Sequence, residues 1–158
     1  MAHGEQWLAQ VNVARLRHPP GSPQLRGFTA ALADINALAE RSPGFVWRPP
    51  TGDGHLDGGE LLGDPLLFVN LSVWERYEDL HQFTYRSAHA GFVKRRSQWF
   101  LPMAPPTTAL WWVPTGLTPT PEQAVARWRH LRRYGPTPQA FGLRRRFDAD
   151  GRPEPRRR

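Results

Sequence analysis

The stretch LLFVNLSVW, residues 66–74, decides the fold, because its side chains alternate in character with the period of a β-strand. One face of this strand is aliphatic and carries Leu67, Val69, Leu71 and Val73. The other face combines rings with hydrogen-bonding groups and carries Phe68, Asn70, Ser72 and Trp74. A strand with two such different faces predicts a sheet that is covered differently on its two sides.

The flanking sequence repeats this alternation and separates it with helical patterns. Further strands are predicted at 7–15, 45–48 and 107–114, with an edge strand at 140–147. Helices are predicted from Ser22 to about Arg41, from about Glu75 to Thr84, and across 85–100 and 120–134. Residues 49–65 are dense in Gly, Pro and Asp and predict a loop or a long hairpin connection.

This order of elements predicts an α+β fold. It is the β-α-β-β-α-β order of a ferredoxin-like antiparallel sheet with helices on one face, in which one helix is divided. The opposite face then needs cover, and a second copy of the same sheet would supply it. We therefore expect a homodimer.

Composition excludes several classes of function. Hydrophobic residues make up 39% of the 158 residues, which indicates a globular chain, and the absence of cysteine excludes disulfides, zinc-thiolate sites and thiol catalysis. Neither a run of membrane-spanning length nor a signal-peptide pattern occurs, so we expect a cytoplasmic protein without membrane contact. Phosphate-binding and dinucleotide-binding fingerprints are also absent.

The net charge of +7 is concentrated near the C-terminus. Seven arginines and three acids lie between Arg144 and Arg158 and account for +4 of it. We therefore predict a single domain over 1–147 followed by a flexible basic tail over 148–158. The rest of the chain is close to +3, so nucleic acid is not an expected partner.

A helix over 85–100, YRSAHAGFVKRRSQWF, would align side chains spaced three and four residues apart. This stripe consists of Tyr85, His89, Phe92, Arg96 and Trp99. Burying an imidazole and a guanidinium is costly unless both are paired. A backbone carbonyl for His89 and a salt bridge for Arg96 would suffice, but a shared ligand cavity is the alternative, and we predict His89 and Arg96 as catalytic residues.

The polar face of the sheet supplies the predicted ligand contacts. Large rings with a few amides and hydroxyls are typical of a small-molecule pocket, although a half-solvated sheet face is the alternative. The predicted substrate-binding residues are Asn12, Asn70, Ser72, Trp74, Tyr85, Trp99 and Trp112. No metal site is predicted, because His81 and His89 are expected on separate helices.

Several blocks of the sequence resemble a bacterial family of a domain of unknown function. They are LAQVNVARL, INALAERSPGFVWR, LFVNLSVWE, FTYRSAH, LWWVP and GPTPQAFGLRRRF, between residues 7 and 147. That family resembles the antibiotic-biosynthesis-monooxygenase-like superfamily of dimeric α/β barrels. The resemblance implies the fold derived above, a homodimer paired sheet to sheet, and a setting in secondary metabolism.

Three functions remain open at this point. The first is an enzyme for a hydrophobic aromatic or polyketide-like molecule, a cofactor-independent oxygenase, isomerase or cyclase in which His89 moves a proton and Arg96 stabilises negative charge. The second is a haem enzyme with His89 as axial ligand. The third is a non-catalytic protein that binds a metabolite.

Overall fold

The structure is a computed structural model that describes residues 5–51, 54–89 and 92–155. Within these ranges, the side chains of residues 88, 89 and 92–94 lie outside the description. Among the described residues, six strands form one sheet: β1 (Gln6–Leu16), β2 (Phe45–Trp47), β3 (Leu56–Asp57), β4 (Leu67–Trp74), β5 (Phe100–Leu101) and β6 (Thr108–Pro114). The α-helices are α1 (Arg26–Glu40), α2 (Gly58–Leu62), α3 (Tyr77–His89), α4 (Phe92–Trp99) and α5 (Pro121–Tyr134), and a 3-10 turn, Pro23–Leu25, leads into α1.

Strands β1 and β4 form the centre of the sheet and pair antiparallel along their length, with Asn12 opposite Asn70. The far edge of β4 pairs with β2 at one end and β3 at the other. The far edge of β1 pairs with β6 along its first half and with β5 at its end. All of these pairings are antiparallel, so the register fixes which side chains share a face.

One face of the sheet, here called the aliphatic face, is covered by the chain itself. It consists of Ala9, Val11, Val13, Leu67, Val69, Leu71, Val73, Ala109, Trp111 and Val113. Helix α5 packs on it through Ala124, Trp128 and Leu131, and α2 adds Leu61 and Leu62. Helix α5 begins at a capping box in which Thr120 and Gln123 bond reciprocally, so its start is fixed locally.

The other face, here called the polar face, carries the alternate side chains of β1, β4 and β6. Helices α1 and α4 cover one end of it with Phe28, Leu32 and Trp99. Helix α3 and the segment that follows α5 cover the other end with Leu80, Phe141 and Phe147. The helices of the β-α-β-β-α-β core therefore lie together on the polar face.

The predicted α+β class and antiparallel ferredoxin-like sheet are confirmed. The expectation about the opposite face needs a correction, because α5 and α2 provide the cover that was assigned to a second sheet. Val11 and Val69 are fully buried within one chain. The homodimer stays a prediction, but an uncovered aliphatic face no longer supports it.

The helical stripe over 85–100 is also corrected. Tyr85 lies on α3 and is 62% exposed, Arg96 lies on α4 and is exposed, and Trp99 is buried. The prediction that His81 and His89 lie on separate helices is wrong, because α3 extends to His89. These side chains do not form one buried row, since they belong to two helices and differ in exposure.

The chain after α5 contacts the sheet at one point and then folds back on itself. Residues 140–147 form no regular strand and bridge the sheet only between Phe141 and Leu110. Beyond Phe147 the backbone turns back, Arg146 forms an ion pair with Glu154 at 2.9 Å, and Phe147 bridges to Pro153. The flexible basic tail over 148–158 stays a prediction, and these contacts show where its described part, as far as Pro155, meets the preceding segment.

Candidate functional site

The centre of the polar face carries two adjacent rows of hydrogen-bonding side chains. In one row, Asn12 of β1 lies between Asn70 of β4 and Thr108 of β6. In the next row, Gln10 lies opposite Ser72. Because side chains on one face of a sheet repeat every second residue, the register alone brings these groups together.

A continuous chain of hydrogen bonds joins four of these side chains and a tryptophan. The Thr108 hydroxyl donates to Asn12 Oδ1, and Asn12 Nδ2 donates to Gln10 Oε1 at 2.8 Å. Gln10 Nε2 then donates to Ser72 Oγ at 2.7 Å, and Trp74 Nε1 donates to the same oxygen at 2.9 Å. We call this set of five residues the amide relay.

The amide relay is buried at its inner end, where each side chain has at least one hydrogen-bond partner. Gln10 is 5% exposed and Ser72 is 7% exposed, so each would be destabilising without a partner. Every bond links to the next, which fixes the orientation of both amides. Thr108 and Asn12 are only half-buried, and the outer end of the relay is therefore accessible.

Aromatic clusters flank the amide relay on both sides. Trp74 stacks on Phe83, with ring centroids 5.0 Å apart, and meets the edge of Phe45. Beyond the other end, Phe28 packs against Phe68 and Trp99. The relay is thus a narrow polar band across an otherwise apolar layer.

An open cleft of about 1210 Å³ lies beside β6, and Thr108 is part of its lining. Helix α3 contributes Tyr77 and His81 to one wall, and the end of α5 contributes Leu131 and Arg132. The remaining lining comes from Pro105, Pro106, Thr107, Gly135, Pro136, Gly142, Leu143, Arg144, Arg145, Arg146 and Pro155. The outer end of the amide relay therefore opens into this cleft.

The cleft is positively charged. Four arginines line it, and the described lining contains no carboxylate. Arg146 is the most enclosed of them: its guanidinium lies over the Tyr77 ring, 3.4 Å from the centroid, and pairs with Glu154. These contacts hold the Tyr77 ring in place as a wall of the cleft.

A family model described as a domain of unknown function, DUF3291, matches residues 7–157. The chain belongs to this family. No curated protein sequence is significantly similar to it.

Solved structures similar to the DUF3291 chain share little sequence with it. PA3566 from Pseudomonas aeruginosa has a TM-score of 0.48 and 13% identity, covering 71% of this chain and 96% of its own. A Nitrosomonas europaea protein named as a candidate antibiotic biosynthesis monooxygenase has a TM-score of 0.45 and 17% identity over 76% and 98%. SnoaB, a cofactor-independent oxygenase from Streptomyces nogalater, has a TM-score of 0.40 and 18% identity over 74% and 99%.

The structure brings together three of the predicted ligand residues of the DUF3291 chain. Asn12, Ser72 and Trp74 all belong to the amide relay. Asn70 lies beside Asn12 in register but lines a separate small cavity with His55. Trp112 is half-buried and donates from Nε1 to the Phe147 carbonyl at 2.8 Å, so it anchors the segment that follows α5.

Of the predicted catalytic pair, only the Arg96 side chain is described, and it does not line the cleft beside β6. Arg96 is exposed, its guanidinium is 5.9 Å from the Phe100 ring centroid, and it lines a second cleft of about 590 Å³ with Arg17. The two clefts share Pro105 and Thr107, so they adjoin. The His89 side chain lies outside the described residues, and its catalytic and haem-binding roles stay predictions.

The two remaining predicted wall residues differ from each other. Tyr85 is mostly exposed and does not line either of the two larger clefts. Trp99 is buried against Phe28, with Arg95 over its indole ring at 4.8 Å. Trp99 therefore packs the layer between α1 and α4 rather than facing a cleft.

Sequence reasoning missed most of the cleft. Tyr77 and His81 are spaced as neighbours on one face of a helix, which was a usable signal. Arg144, Arg145 and Arg146 were counted only as charge next to the tail. Among the described residues, no group of three or more His, Cys, Asp or Glu side chains is arranged to hold a metal ion.

Among the residues that the structure describes, no helix combines the length and the apolar composition that crossing a membrane requires.

Proposed function

We propose that this DUF3291 chain is a small-molecule enzyme of secondary metabolism that converts a hydrophobic aromatic or polyketide-like compound without a bound cofactor. The observation that carries this proposal is the opening of the amide relay into the cleft at Thr108. A fixed polar band next to a cleft that also offers apolar surface can orient an aromatic substrate.

The cleft offers a surface for the apolar part of such a substrate. Tyr77, Leu131 and Leu143 contribute side chains, and four prolines contribute rigid apolar rings. Thr108 supplies a hydroxyl at the inner end of the cleft, and the Asn12 amide lies behind it and accepts its hydrogen bond. The hydrogen bonds that run through Gln10 to Ser72 fix the orientation of the Asn12 amide. The free energy needed to reorient this amide when a ligand approaches is therefore small.

The chemistry would begin with proton removal. Helix α3 carries two imidazoles, His81 in the cleft wall and His89 at its last position, and an imidazole is a common general base. The arginines then stabilise the phenolate or enolate that forms. An electron-rich anion of this kind reacts directly with dioxygen, isomerises or cyclises.

The homodimer and the cytoplasmic location belong to the same proposal. Since the aliphatic face is covered within one chain, a partner would contact another surface. Light scattering of the purified protein distinguishes a monomer from a dimer.

The test begins with the mass and absorption spectrum of any compound that co-purifies with the protein. That compound, or 1-naphthol as a polycyclic phenol, is then followed by absorbance and oxygen consumption. We expect His89→Ala and Arg96→Ala to lower kcat by about 100-fold or more, and Thr108→Val to raise KM about fivefold. Thr84→Val is the matched control, because Thr84 bonds only its own helix at Leu80 O.

Two results would contradict the proposal. Full turnover in both His89→Ala and Arg96→Ala would remove the predicted catalytic pair, and His81→Ala would then test the imidazole in the cleft wall. A ligand that binds but stays chemically unchanged for hours would show a binding protein rather than an enzyme.

A further inference from the structure

We propose that the cleft beside β6 selects an amphipathic organic anion, whose apolar body lies along Tyr77 and Leu143 and whose acidic head is held by Arg144 and Arg145. This inference rests on the proposed function, because it names the substrate class of the same site. It is drawn from two observations. The guanidinium groups of Arg144 and Arg145 have no ion-pair or hydrogen-bond partner among the described residues, and the surface beside them is apolar.

Arg144 and Arg145 differ from the other arginines of the cleft. Arg146 pairs with Glu154, and Arg132 donates from Nη1 to the Ala104 and Pro106 carbonyls. Arg144 and Arg145 are exposed and form no ion pair or hydrogen bond with any described residue. Their guanidinium groups thus remain available to an incoming anion.

The surroundings of these two guanidinium groups favour an anion further. The described lining of the cleft contains Arg132 and Arg146 in addition, and no acid that would compete. Arginine presents a planar set of donors that matches a carboxylate or phosphate in two-point contact. A cleft lined by charges of one sign also raises the local concentration of oppositely charged ligands.

The apolar lining shows that a bare inorganic anion would leave much of the surface unused. Leu143, which lies between Gly142 and Arg144 in the chain, is 49% exposed. It borders the cleft together with Tyr77 and Leu131. Covering such side chains is favourable in proportion to the apolar area removed from water. The two features together favour a ligand with a ring or hydrocarbon body and one acidic group, such as an aromatic carboxylate.

The order of residues within the segment 141–147 separates the side chains that anchor it to the sheet from those that are exposed beside the cleft. Phe141 is buried and bridges to Leu110, and Phe147 accepts from Trp112, so both ends of 141–147 are anchored to the sheet. Leu143, Arg144 and Arg145 lie between these anchors and are exposed. A short segment anchored at both ends keeps its middle residues beside the cleft that Tyr77 of α3 also lines.

The experiment measures binding without turnover. Naphthalene-2-carboxylate is titrated into the full-length protein by calorimetry at low and moderate salt, with naphthalene-2-carboxamide as the uncharged counterpart and inorganic phosphate as the bare anion. We expect the carboxylate to bind at least tenfold more tightly than the carboxamide, and added salt to reduce this difference. Phosphate alone should bind more weakly than the carboxylate.

The variant Arg144→Gln/Arg145→Gln should weaken carboxylate binding about tenfold and leave carboxamide binding unchanged. The matched control is Arg129→Gln/Arg133→Gln, which removes two exposed charges of α5 that do not line the cleft. It should bind like the natural sequence. All four positions are exposed, so thermal unfolding should be similar in both variants.

Equal affinity for the carboxylate and the carboxamide would overturn the inference, and so would equal loss in the two double variants. Phosphate binding as tight as carboxylate binding would overturn the role of the apolar surface. If carboxylate binding behaves as expected but no compound is ever converted, the proposed enzymatic function fails while the ligand class stands.

Discussion

The two faces of the sheet differ in the side chains that they bury. The aliphatic face buries only apolar side chains of β1, β4 and β6 under α5 and α2. The polar face keeps an amide relay between two aromatic clusters, and the outer end of that relay stays accessible. Burial alone accounts for the apolar character of the aliphatic face, whereas the polar face retains hydrogen-bonding groups at positions where apolar residues could also be buried.

This difference indicates where stability and where selectivity reside. A close-packed aliphatic face gains free energy in proportion to its buried area and constrains no ligand. A satisfied polar network contributes less net free energy but fixes the direction of each donor and acceptor. We therefore expect substitutions on the aliphatic face to unfold the protein and substitutions in the amide relay to change what it recognises.

The largest effect should come from the contact between α5 and the aliphatic face. Trp128 is 6% exposed, packs on the sheet and donates from Nε1 to the Pro106 carbonyl at 3.1 Å. Trp128→Ala should lower the free energy of unfolding by about 3–5 kcal/mol, because a large ring is lost and its cavity collapses only in part. Urea denaturation measures this change.

The neighbouring Arg129 provides the control for that prediction. It is exposed on the same helix, so Arg129→Ala should change the free energy of unfolding by less than about 0.5 kcal/mol. A loss below about 1 kcal/mol for Trp128→Ala would mean that α5 is not an essential cover, and the prediction of a partner sheet on the aliphatic face would regain its basis.

An intermediate effect should come from the amide relay. Gln10→Leu leaves the Asn12 amide without its acceptor, and Ser72→Ala leaves two buried donors without theirs. Each change should cost about 1–3 kcal/mol, but the double variant should cost less than the two together by about 1 kcal/mol, because both act on one network. Urea denaturation of all four combinations gives this coupling.

A buried serine outside the relay makes that cycle specific. Ser42 is also buried and donates to the Leu38 carbonyl at 2.6 Å. Gln10→Leu and Ser42→Ala should therefore be additive within about 0.5 kcal/mol. Additivity in the Gln10 and Ser72 cycle as well would show that the relay is a set of independent bonds.

The strands and the late helix were predictable from the sequence because their signals are local. Alternation with period two marks β1, β4 and β6 and assigns Asn12 and Asn70 to the polar face, whereas their position opposite each other follows from the register of the folded sheet. Thr120, Pro121 and Gln123 mark the start of α5 through capping chemistry. The face that α5 covers is not encoded locally, which is why the cover was assigned to a second chain.

The cleft was less predictable, because its residues come from distant segments. Tyr77 and Arg146 are far apart in sequence and meet only when the segment after α5 folds across β6. A run of three arginines indicates a solvated tail when the pairing of Arg146 with Glu154 is unknown. The stripe over 85–100 failed for a related reason, since equal spacing means a common face only within one helix.

The smallest effect concerns the edge of the aliphatic face, where Asp64 joins the corner before β4 to Arg15 of β1. The Leu66 backbone N–H donates to Asp64 Oδ1 at 3.0 Å, and Arg15 Nη1 donates to Oδ2 at 3.0 Å. These two bonds, the Leu66 bond first, lower the pKa of Asp64 below its ordinary value of 3.8. The stabilisation is therefore present above that value and is lost as the pH falls through the lower pKa of the folded state.

We expect Asp64→Asn to reduce the urea midpoint at pH 7 slightly and to match the natural sequence near pH 2. Asp34→Asn, at an exposed position of α1, is the control, and its urea midpoint should fall between pH 7 and pH 2 by as much as that of the natural sequence. If the midpoint of Asp64→Asn also fell by that full amount, the acid sensitivity would belong to other groups.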